Sequence, residues 1–132
     1  MLITAREVRE TGAPSIVAGD LNDVAWSRTT HLFREVGGLL DPRIGRGPYS
    51  TFNAFWPLLR WPLDHVFFEP EFGLLELRVL DRIGSDHFPV FAALCHAPGA
   101  PNERAPPRPE AEDLEAAREA IREGREEARK RR

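Results

Sequence analysis

The chain has 132 residues, of which 42% are hydrophobic and 30% charged, with a formal net charge of −3; these values suit one soluble domain and leave little room for a second. An isoelectric point near 5.8 excludes a protein that grips nucleic acid through an overall basic surface. A lone cysteine, Cys95, excludes an internal disulfide framework and a cysteine-built zinc site.

No apolar run reaches the roughly 20 residues of a membrane span. Met1 to Glu7 lacks the layout of a secretory signal, so the expected location is cytoplasmic. Apolar and small residues at Leu2, Ile3, Ala5 and Val8 among charged neighbours predict an amphipathic helix that stops at Gly12 and Pro14. Ser15 to Ala18 reads as a short buried strand that ends at Gly19-Asp20, followed by the polar loop Asp20-Leu21-Asn22-Asp23. Open α/β sheets tend to place chemistry at such strand ends. A second helix is expected from about Ser27 to Glu35, with Gly37-Gly38 as its stop.

Residues 39–62 form a stretch rich in Gly, Pro and aromatic side chains, with Arg43, Arg46 and Arg60 among them. Alternation then predicts strands over residues 63–68, 74–80 and 88–94, placed in one mixed or mostly antiparallel sheet. Residues 1–97 thus make up the folded part, 98–110 a Pro/Ala-rich linker, and 111–132 a charged helical tail. Residues 103–132 carry nine basic and nine acidic side chains, and their only large apolar residues, Leu114 and Ile121, predict a solvated or partly frayed helix. Gly124 weakens its middle by about 1 kcal/mol.

Three clusters join a carboxylate to another polar group beside an apolar strand: Gly19-Asp20-Leu21-Asn22-Asp23, Leu63-Asp64-His65 and Gly84-Ser85-Asp86-His87-Phe88. Taken singly, each is a weak signal, since an Asp at a strand end is most often a turn or cap residue. In this order they resemble the endonuclease/exonuclease/phosphatase superfamily, across about residues 1–94. The resemblance implies the C-terminal half of a four-layered α/β sandwich and a metal-dependent phosphoester hydrolase, a nuclease or phosphodiesterase. Mg²⁺ is the implied cofactor, with Mn²⁺ as the alternative. Under it Asp20 would deprotonate the attacking water, Asn22 would donate its amide to the phosphate, and His87 would contact a phosphate oxygen, kept cationic by Asp64. Asp86, with Asp20, would serve the metal. Carboxylates, an amide and an imidazole suit such chemistry on their own account, since phosphoester cleavage needs an activated water, charge stabilisation and a hard cation.

The family's metal-binding Glu and its companion Asn precede the strand that ends at Gly19, and this chain has no position for them. The expectation is therefore a C-terminal fragment, completed by an N-terminal half or by self-association. The alternative is an interaction module or inactive remnant without catalysis. A serine hydrolase is disfavoured because no Gly-x-Ser-x-Gly surrounds Ser85, and a zinc hydrolase because no His-x-x-x-His pair occurs. The substrate class stays open between nucleic acid, phospholipid headgroup and soluble phosphate ester. Trp56, Arg60 and Trp61 have two readings: a rim that grips substrate by stacking or by dipping into lipid, or, for Phe52, Phe55 and Trp61, packing beneath the sheet to close the core. His65 reads as structural, and His31, His96 and Cys95 carry no functional signal.

Overall fold

A computed structural model describes residues 1–99 and 108–130. Its elements are α1 (Leu2–Thr11), β1 (Ile16–Asp20), α2 (Arg28–Gly37), β2 (Asp64–Phe68), β3 (Phe72–Val79), β4 (Val90–His96) and α3 (Ala111–Lys130). The fold is mixed α/β with a C-terminal helix, as the residue pattern predicts. The strands, however, pair as two separate antiparallel sheets, β1 with β2 and β3 with β4, instead of one.

Local chemistry sets the element ends. Helix α1 closes on Gly12, whose φ of 63° is a left-handed conformation that glycine adopts without a side-chain penalty. Helix α2 opens on Ser27, which accepts from the Thr30 N–H at 2.9 Å and donates its own hydroxyl to Asp23 at 2.6 Å. Its far end stops at Gly38, φ 67°, where the Leu39 N–H caps the Arg34 carbonyl at 2.8 Å.

The core lies between these helices and one face of β2. Leu2, Ala5 and Val8 of α1 meet Leu32, Phe33 and Val36 of α2, with Leu39 and Phe67 beneath them. Phe33 and Phe67 are fully buried and pack ring to ring at 5.2 Å. Alternation along β2 sends His65 and Phe67 to this core and leaves Asp64 and Val66 on the opposite face.

Helix α3 departs from the expected solvated tail. Ala117 and Ile121, four residues apart on one stripe, are buried in the same core against α1 and α2. Two side chains suffice because one of them is small enough to admit close helix approach. Docking also brings Asp113 beside Glu35, and burial, with the Asp113 carboxylate, pushes Glu35 above the usual carboxylate range. The segment expected to link α3 to the rest, residues 98–110, falls mostly outside the described residues. Ile121→Ala is expected to lower stability by about 2 kcal/mol or more, read as a shift of the urea midpoint. A solvated helix would lose no more than about 0.5 kcal/mol.

Candidate active site

The β1–β2 register places Asp20 directly opposite Asp64, and Gly19 opposite His65. Two like charges across a ladder repel. A cation between them offsets that cost, and the third motif delivers one. His87 Nδ1 donates to Asp64 Oδ2 at 2.7 Å, and His87 Nε2 lies 3.9 Å from Asp20 Oδ2. The hydrogen bond to Asp64 raises the His87 pKa above its ordinary value, partial burial opposes the rise, and the charges of Asp64, Asp20 and Asp86 add to it. The charged form of the imidazole is thereby favoured, and its Nε2 faces Asp20.

Each of these side chains is held by local structure. The Asn22 N–H donates to Asp20 Oδ1 at 2.8 Å, an Asx turn that orients the carboxylate. Asn22 itself sits at φ 50°, a conformation Asn tolerates better than most residues. Asn22 is exposed, beyond Leu21 just past the end of β1. Loop residues 51–54 clamp the His87 turn onto β2. The buried Thr51 hydroxyl accepts from the Asp64 N–H at 3.2 Å, its carbonyl accepts from the Phe88 N–H at 2.8 Å, and the Ala54 N–H donates to the Asp86 carbonyl at 2.7 Å. The Phe52 ring lies 5.0 Å from the His87 ring.

Behind the site is a buried polar cluster. Arg43 grips Asp41 in bidentate fashion, with Nε at 2.9 Å and Nη2 at 2.8 Å from the two carboxylate oxygens. The same Nη2 lies 2.7 Å from His65 Nδ1, and Nη1 lies 3.4 Å from the Asp64 carbonyl. Since a guanidinium can only donate, His65 Nδ1 accepts and Nε2–H donates to the Asp23 carbonyl at 2.8 Å. Burial lowers the His65 pKa, and the Arg43 charge lowers it further. One neutral imidazole thus ties β2 to both the Asp20–Asp23 loop and the Asp41–Arg43 turn. The reading of His65 as structural agrees with this burial. Arg43 and Asp41 were not foreseen as a pair, because an Asp-x-Arg step in a Pro- and Gly-rich stretch has no distinctive pattern.

The structure brings Asp20, Asp64 and His87 together: one ligand atom from each lies within 4.8 Å of the others. A cleft of about 320 Å³ opens between β2 and the start of β4 beside Asp64, His87 and Ile83. Asp86 is exposed on the same turn, 3.4 Å from Ser85 Oγ, and its carboxylate lies outside that cluster. The aromatic residues do not close the core. Phe55, Trp56 and Trp61 are all exposed, with Phe52 between burial and exposure. Trp61 instead pairs by backbone with Phe52, which also bridges to His87.

For a hard divalent ion the donor set is sufficient in kind. Mg²⁺ is commonly held by one or two carboxylates, with water and phosphate oxygens completing the octahedron. Asp20 and Asp64 provide carboxylates, whereas His87 already commits Nδ1 to Asp64.

The model of the Endonuclease/Exonuclease/phosphatase family matches residues 1–87, from the first helix through the site's histidine. The chain belongs to that family, whose members are in general phosphoester hydrolases that use divalent metals. No curated protein and no solved structure matches the chain.

Proposed function

We propose that the chain carries the site of a metal-dependent phosphodiester hydrolase. The observation that supports it most is an imidazole held by one carboxylate and facing a second across a strand pair. That geometry suits in-line attack on phosphorus. Asp20, its carboxylate fixed by the Asn22 N–H, takes a proton from the attacking water. The His87 Nε2–H and the Asn22 amide donate to phosphate oxygens, where negative charge builds in the transition state. Asp64 keeps the His87 Nδ1 proton in place. The water oxygen bonds to phosphorus, one ester P–O bond breaks, and the leaving oxygen takes up a proton, giving a phosphomonoester and an alcohol. When bound, Mg²⁺ or Mn²⁺ supplies Lewis-acid neutralisation of phosphate charge, and Asp20 and Asp64 are the carboxylates that would hold it.

The test is turnover of a soluble chromogenic phosphodiester by the purified chain with added Mg²⁺ or with chelator. Expected is hydrolysis that chelator removes and that Asp20→Asn lowers by about a hundredfold or more. A folded chain that turns over no phosphodiester, or does so equally well in chelator, would overturn the proposal in favour of a non-catalytic interaction module.

A further inference from the structure

Cleaving a phosphodiester does not call for the rim that borders this site. Leu58 is 95% exposed, Ile83 77%, and Trp26 and Trp56 64% each, and Leu59 and Trp61 are exposed beside them. Trp56, Leu58, Leu59 and Trp61 belong to one loop that Trp26 adjoins, and Ile83 borders the cleft beside His87. The Trp26 and Trp61 rings lie 6.3 Å apart, and the Leu59 N–H donates to the Trp56 carbonyl at 3.3 Å. The Asn53 N–H, in the loop that clamps the His87 turn, donates to the Leu59 carbonyl at 3.3 Å. Exposed apolar area gathered in one place marks a contact surface, whereas scattered single residues do not.

Residues 44–63 carry Arg46 and Arg60 and no Asp or Glu; Arg43, just before them, is buried on Asp41. Arg60 sits over the Phe88 ring at 4.8 Å, and Arg82 over the Phe55 ring at 4.6 Å, so both cations stand at the base of the apolar tip. Aliphatic tips, tryptophans next to them and arginines behind form the sequence of chemistries met on passing from acyl chains through the interface to phosphates. Among the described residues no helix is long and apolar enough to cross a membrane, so such contact would be surface association.

We infer that this rim docks on a phospholipid bilayer, and that the phosphodiester reaching Asp20 and His87 is a phospholipid headgroup's; the substrate half of the inference rests on the proposed hydrolase reading. A single-stranded nucleic acid fits less well. Its bases need π-faces to stack on, and the most exposed side chains here, Leu58 and Ile83, have none.

All three tryptophans of the chain, Trp26, Trp56 and Trp61, lie on the rim, so intrinsic fluorescence reports on it directly. Titrating the full chain with phosphatidylcholine vesicles, with and without phosphatidylserine, is expected to shift emission to the blue. Lipids brominated on their acyl chains should quench it, and the protein should sediment with the vesicles. Leu58→Asn combined with Leu59→Asn is expected to weaken partitioning by about tenfold or more. Leu75→Asn, which removes an equally apolar exposed side chain from β3, should leave it unchanged. The docking inference fails if vesicles change neither emission nor sedimentation, or if the double variant partitions like the parent. It also fails if only a single-stranded oligonucleotide perturbs the tryptophans, or if only a Leu58-dependent dimer forms. Vesicle binding is read without turnover. Its failure leaves the hydrolase proposal standing, and absent turnover on soluble phosphodiester with intact vesicle binding does the reverse.

Discussion

His87→Ala is expected to lower kcat on a phosphodiester by about two to four orders of magnitude and to lower the urea midpoint only modestly, the loss coming from Asp20 and Asp64 left facing each other. The backbone contacts that hold its turn, Phe88 N–H to Thr51 and Ala54 N–H to Asp86, do not use the imidazole. A readout specific to its charge comes from Asp64→Asn. In the parent, the hydrogen bond to Asp64 lifts the His87 pKa, so activity declines as pH rises through that raised value. The variant loses the leading cause of the rise and the nearest negative charge. Its histidine returns toward the ordinary value of 6.5, and the basic limb of the rate profile moves to lower pH, with the acidic limb as internal control. Below that limb the variant keeps a protonated donor and part of its rate. An unmoved basic limb would show that His87 does not act as a cation.

The candidate site residues were legible because they occupy short, polar strand ends in a fixed order. Asp20, Asn22, Asp64 and His87 each follow or precede an apolar run, and a motif of that kind survives without knowledge of the fold. What failed to show in the sequence is what depends on distant partners. Alternation marks β3 and β4 as strands but cannot tell that they pair only with each other, because register is decided by contacts between segments. Composition marks residues 111–130 as charged, yet one Ala and one Ile on the right stripe are enough to seat α3 on α1 and α2. Aromatic content suggested core for Phe55 and Trp61, and the structure exposes both. Hydrophobicity alone does not distinguish a residue that closes a core from one kept on the surface for a partner.

Arg43→Met should cost about 3 to 5 kcal/mol of unfolding free energy, the largest single effect on stability expected away from the apolar core. Arg43, Asp41 and His65 are all nearly inaccessible, so water cannot replace the bidentate pair once the guanidinium is gone. The variant would leave the buried Asp41 carboxylate without its bidentate partner, with Arg34 as its remaining nearby cation, and His65 Nδ1 without its donor. Adding Asp41→Asn removes the stranded charge and still offers an oxygen to the Arg43 backbone N–H, which donates to Asp41 Oδ1 at 2.9 Å in the parent. The double variant is therefore expected to regain about half of the loss or more, a coupling that a denaturant double-mutant cycle measures. The pH dependence adds an independent check. Because the His65 pKa is depressed in the fold, the unfolded chain takes up a proton first, and stability falls as pH drops below the ordinary histidine value. Arg43 contributes to that depression by repelling the imidazolium, so its replacement flattens the acid slope as it lowers the plateau. A loss under about 1 kcal/mol, with the acid slope unaltered, would mean that the Asp41–Arg43–His65 cluster does not hold β2 against the site loop.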